Sequence, residues 1–114
     1  MVKLNLKETS GITVVTALPE VLDAGNAAQF KAETARLLDG KRQVLLDMST
    51  VLFIDSAGCG ALITTLWHLK DAGGVLKFFG VGKQASRVFE LVRMCKIIEM
   101  YKTRKQALDS FRLE

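Results

Sequence analysis

Three short apolar runs, separated by segments of helical spacing, set the strongest limit on how this chain can fold. They are Gln43 to Met48 (QVLLDM), Val75 to Val81 (VLKFFGV) and Ile97 to Tyr101 (IIEMY). Apolar runs this short suit strands covered on both faces of a sheet. Between the first and second, Cys59, Leu62, Ile63, Leu66 and Leu69 or Lys70 recur at helical spacing, and Gly73-Gly74 ends the pattern. Between the second and third, a helix is expected from about Lys83 to Lys96, with Ala85, Val88, Phe89 and Val92 inward. Strands that alternate with helices build a sheet with a parallel part and helices packed on it.

The flanks add to this frame. Val2, Leu4 and Leu6 alternate with polar residues and predict a short half-buried strand. Thr9-Ser10-Gly11 is a turn signal, and the β-branched run Ile12 to Leu18 predicts a second strand, hairpin-paired with the first and stopped by Pro19. A helix follows, with Asp23 as the expected N-cap, Ala27, Phe30, Thr34, Leu37 and Leu38 on one stripe, and Gly40 as its stop. Thr103 to Gln106 has the form of a capping box that opens a terminal helix, whose apolar face is Ala107, Leu108 and Phe111. The expected order is ββαβαβαβα: an α/β fold with a mixed sheet of four or five strands and packed helices. The 114 residues fit one domain, 1–114, with no internal repeat or linker.

Composition excludes some functions. Hydrophobic residues make up 49% of the chain and charged residues 25%, which argues against disorder. Cys59 and Cys95 both fall in apolar helical patterns, without a CxxC pair or a histidine cluster. They are expected to be reduced core residues, not a disulfide or a metal site. The net charge of +4 could attract nucleic acid, but the basic residues are scattered, whereas nucleic-acid binding normally needs a patch or stripe. No run reaches transmembrane length and no secretory signal is present, so a cytoplasmic location without membrane insertion is expected.

One stretch invites a catalytic reading, VLFIDSAGCGALITTLWHL, from Val51 to Leu69. Ser56 opens its helical part. A nucleophile elbow needs glycine two residues before the serine, and Ile54 stands there. The only histidine, His68, lies twelve residues further along the same predicted helix, about 18 Å away at 1.5 Å per residue. That is beyond the reach of a general base, and His68 fits a surface position better. GVGKQ, Gly80 to Gln84, resembles the end of a phosphate loop. Gln84, however, replaces the magnesium-binding Ser or Thr, and Lys77 replaces the leading glycine. Phe78 and Phe79 are adjacent and face opposite sides of a strand, which suits burial under helices better than RNA stacking. No enzyme is expected.

Ser56 suits a different task. Backbone N–H groups at a helix start lack partners and the helix dipole is positive there, so a phosphate is tolerated. It would add about −1.5 to −2 charges. Ala57, Gly58, Ala61 and Thr65 are expected on or near the outer side of the helix, where small residues let a partner approach. A serine or aspartate in this place also serves simply as an N-cap.

The segment VLLDMSTVLFIDSAGCGALITTL resembles the centre of STAS domains, in particular the anti-sigma factor antagonists. The matching features are a strand ending in Asp47, the apolar pair Phe53-Ile54, and Asp55-Ser56-Ala57-Gly58 opening a helix. LDAGNA, Leu22 to Ala27, is similar to the family's Leu-Asp-x-x-Asn-Ala helix start, and RVFELVRMCKIIEMYKTRKQAL to its C-terminal part. The likeness runs from about Ile12 to Phe111. It departs at Glu20-Val21, where the family often has Gly-Glu, and at Cys59, where it often has leucine. The resemblance implies that the unmodified chain binds an anti-sigma factor that is also a serine kinase, that phosphorylation of Ser56 releases it, and that a metal-dependent serine phosphatase resets it. It maps partner contacts onto Asp23, Asp55, Ser56, Ala57 and Gly58, and Ala61 belongs to the same expected docking face. Nucleotide and magnesium belong to the kinase, so no cofactor is expected here. The alternative within the family is an interaction subunit of a lipid-transport or stress-signalling scaffold complex that works without phosphorylation.

Overall fold

The computed structural model describes residues 2–112. β1 (Asn5–Thr9) and β2 (Ile12–Thr16) form the expected hairpin, with Thr9 opposite Ile12. Ser10 and Gly11 turn the chain with φ of 53° and 81°. β4 (Gln43–Asp47), β6 (Val75–Phe79) and β7 (Glu99–Tyr101) complete a five-stranded sheet in the order β1-β2-β4-β6-β7. Only β1 is antiparallel to its neighbour, so the sheet is mixed, as the alternation of elements requires. Two strands of two residues each, β3 (Val21–Leu22) and β5 (Phe53–Ile54), form a separate parallel ribbon that the sequence pattern does not reveal.

Pleating divides the sheet into two chemical faces. Val15, Leu46 and Phe78 are in register and belong to the main core, with α1 (Ala27–Leu37), α2 (Ser56–Asp71) and α3 (Lys83–Leu91). Val14, Leu45 and Phe79 belong to a smaller core under α4 (Arg104–Phe111), which contributes Ala107 and Phe111. Phe78 and Phe79 are thus buried on opposite faces. The Thr103 capping box opens α4 as predicted: the Thr103 hydroxyl accepts from the Gln106 N–H, and the Gln106 side chain accepts from the Thr103 N–H. Lys77 lies in the middle of β6, only 1% exposed. Its ammonium donates to Ser110 Oγ at 3.0 Å, lies 4.6 Å from the centre of the Phe111 ring and comes within 3.5 Å of Glu99. A buried cation needs such partners, and here they tie α4 to the sheet.

Several expected details change. α1 starts at Ala27, not at Asp23. Asp23 opens a turn instead: its carbonyl accepts from the N–H groups of Asn26 and Ala27, and its carboxylate from the Gly25 N–H. Leu37 is half-buried, whereas Ala27, Phe30, Thr34 and Leu38 face the core. α3 stops at Leu91 because Arg93 takes a left-handed φ of 58°, and a short 3-10 turn, Met94–Lys96, follows. Val92 is therefore exposed, and Met94 takes a core place further on. Cys95 is exposed as well, since the helical register that would bury it has ended.

Cys59 is buried beneath the start of α2. Burial, with a smaller contribution from the charge of Asp55, pushes its thiol up to about 11. The two cysteines should therefore behave differently toward iodoacetamide at pH 8. One thiol, Cys95, is expected to react in the native protein, and the second only on unfolding. Mass spectrometry of the labelled protein checks this, and fast modification of Cys59 in the native state contradicts the packing described here.

Candidate functional site: the turn that presents Ser56

Ser56 is the first residue of α2 and is exposed. The cap is the residue before it. Asp55 has extended backbone, and its Oδ1 accepts from the Gly58 N–H at 2.9 Å. Its Oδ2 accepts from the Ala24 N–H at 3.2 Å, so one carboxylate joins the helix start to the Asp23 turn. The Cys59 N–H donates to the Asp55 carbonyl. The Ser56 hydroxyl has no hydrogen-bonding duty among the described residues. The amides of Ser56 and Ala57 remain at the open end of a 16-residue helix, where an anion is favoured.

The ribbon beneath this turn is locked on both sides. The Asn26 carboxamide donates to the Val21 carbonyl at 2.7 Å and accepts from the Asp23 N–H at 3.0 Å, along β3. Gln84, from α3, pairs with both backbone groups of Ile54 on β5. Sequence reasoning missed this use of Gln84 because a contact across 30 residues leaves no local signature. Above the ribbon, Val21, Leu52 and Phe53 are 44%, 66% and 45% exposed, and Val21 is in register with Phe53.

Not all the expected contact residues share this surface. Asp23 and Asp55 are half-buried beside the turn and Ala57 is half-buried next to Ser56, but Gly58, Ala61 and Thr65 are buried. They are small because α2 packs closely inside the molecule. A Cβ on Gly58 would stand 2.3 Å from the Leu22 carbonyl oxygen, and Thr65 Oγ1 meets Thr34 Oγ1 of α1 at 3.3 Å. The outer side of α2 carries Ser56, Gly60, Trp67 and His68. His68 is exposed on the same helix as Ser56, as its spacing predicts. Among the described residues no group of acidic, histidine and cysteine side chains could hold a metal ion, and no helix is long and apolar enough to cross a membrane.

This architecture, a five-stranded mixed sheet with four packed helices, is shared with STAS domain proteins, and the chain belongs to that family: the STAS domain model matches residues 3–107. The putative anti-sigma factor antagonist BtrV of Bordetella bronchiseptica is 28% identical over 111 residues, which are 96% of this chain and 95% of that protein. The crystal structure of a putative anti-sigma factor antagonist from Thermotoga maritima superposes with a TM-score of 0.86 at 24% identity, over 96% of this chain and 94% of that one. The unphosphorylated form of the anti-sigma factor antagonist SpoIIAA superposes with a TM-score of 0.69 at 20% identity, over 96% and 98% of the two chains. SpoIIAA has also been solved in a phosphorylated form.

Proposed function

We propose that this chain is an anti-sigma factor antagonist whose binding to an anti-sigma factor is switched by phosphorylation of Ser56. One observation carries the reading: Asp55 caps α2, so the exposed Ser56 hydroxyl is free of structural work. A phosphate on Ser56 lies at the positive end of α2 and leaves the fold intact. The same phosphate must be desolvated when a partner covers the turn, and it stands next to the carboxylate of Asp55 and near that of Asp23. Modification therefore weakens docking without unfolding the domain. The partner is an anti-sigma factor with serine kinase activity, which brings the nucleotide and magnesium, and a serine phosphatase reverses the step. The chain itself supplies an acceptor and a surface, and no catalytic group. The contact surface is Ser56 with Asp23, Asp55 and Ala57, while Gly58 and Ala61 shape it from beneath. The reading is supported by the STAS membership and by relatives named as anti-sigma factor antagonists. A pull-down from native lysate, with and without ATP, tests it: ATP should release the captured kinase and place phosphate on Ser56.

A further inference from the structure

Gln84 stands where GVGKQ departs from a phosphate loop, and the fold gives it other work. It is the second residue of α3, and its side chain crosses to β5. Its Oε1 accepts from the Ile54 N–H at 2.8 Å, and its Nε2 donates to the Ile54 carbonyl at 2.9 Å. A carboxamide offers a donor and an acceptor side by side, so it pairs with Ile54 much as a neighbouring strand would. Ile54 is only 1% exposed, so water is a poor substitute for these two bonds. The next residue is the α2 cap, Asp55, and the one after it is Ser56.

We propose that Gln84 is a positioning residue for the Ser56 turn. By closing the edge of β5 it fixes the backbone that carries Asp55, and through that cap it fixes how Ser56 is presented. The proposal rests on the reading of Ser56 as the controlled residue. It also restricts how a partner docks. With Gln84 on both backbone groups of Ile54, and Asn26 on the Val21 carbonyl and the Asp23 N–H, these groups of the ribbon are already taken and do not serve an added strand. The ribbon therefore offers a partner chiefly side chains, those of Val21 and Phe53, together with the Ser56 hydroxyl.

Amide hydrogen exchange followed by NMR, expressed as protection factors, tests the positioning role in Gln84→Met and Gln84→Glu. Gln84→Met keeps the bulk and removes both bonds. Ile54 protection should fall by about tenfold or more, while the amides of Leu45 and Phe78 in the main sheet keep theirs. Gln84→Glu carries a titratable copy of the clamp. When ionised it accepts from the Ile54 N–H but turns a second acceptor toward the Ile54 carbonyl; when protonated it can serve both groups, as the carboxamide does. Ile54 protection should therefore recover as pH falls through the carboxyl range, which a purely space-filling role cannot produce. With radiolabelled ATP in native lysate, Gln84→Met should label on Ser56 several-fold more slowly than the wild type. Unchanged Ile54 protection, an equal loss across all strands, an absent pH recovery, or labelling at the wild-type rate despite lost protection would each overturn the proposal. If the wild type itself takes no label, the switch reading fails, and the exchange measurements still decide what Gln84 does to the turn.

Discussion

Ser56→Ala is expected to keep its kinase partner bound in the presence of ATP, under conditions where the wild type is released. The acceptor oxygen is gone, and nothing else in the turn depends on it. Because Asp55 supplies the cap, the loss of stability should stay within about 0.5 kcal/mol, the usual range for a surface change, and not reach the ~1 kcal/mol typical of a lost N-cap. Release of the phosphorylated wild type needs a loss of affinity of about a hundredfold, near 2.8 kcal/mol at 1.4 kcal/mol per tenfold. Ser56→Asp should fall between the two states, since a carboxylate brings one charge where a phosphate brings nearly two. Circular dichroism should hardly change in any of them. Titration of the captured partner with unmodified, phosphorylated and Ser56→Asp protein separates these states. Equal affinity of the phosphorylated and unmodified forms rules out the switch, and the alternative of a non-phosphorylated subunit in a lipid-transport or scaffold complex then takes its place.

The main sheet was legible in the sequence because its strands carry their own apolar runs and its helices their own stripes. Ser56 at a helix start was legible too, since Asp-Ser-Ala-Gly before a helical pattern is a local signal. What surrounds Ser56 was not. β3 and β5 have two residues each, too few to show a period, and their pairing spans 32 residues from Val21 to Phe53. α1 starts at Ala27 and not at Asp23 because the chain from Val21 to Asn26 closes a local turn, in which the Asn26 side chain bonds the Val21 carbonyl and the Asp23 N–H, and the N-cap preference of Asp23 alone does not reveal that turn. Glycine, alanine and threonine along α2 read as a surface open to a partner, but small residues are equally the mark of close internal packing. Helical spacing shows which residues share a face and leaves open what covers that face. Here β3 and α1 cover it.

Gly58 and Gly60 make that last distinction measurable, because they sit two residues apart in one helix and predict opposite outcomes. Glycine in a helix interior costs about 0.5–1 kcal/mol relative to alanine, so each replacement by alanine begins with that gain. At Gly60 nothing stands within 4 Å of an added Cβ, and the position is exposed. Gly60→Ala should therefore stabilise the protein by most of that amount. At Gly58 an added Cβ meets the Leu22 carbonyl oxygen at 2.3 Å and Ile54 Cγ1 at 2.6 Å. The first obstacle is backbone and the second is a core side chain, so neither can swing away. α2 must move off the ribbon, at an overpacking cost that reaches about 3 kcal/mol or more and exceeds the helical gain. The two variants should differ by about 2–4 kcal/mol in urea unfolding, which for a domain of this size separates their Tm values by roughly 10 °C or more. Gly58→Ala should also weaken partner binding in its folded fraction, because the same displacement shifts the Asp55 cap and the turn that carries Ser56. Equal stability of the two variants would show that α2 does not approach β3 as closely as the fold requires, and the internal role of the small residues would have to be given up.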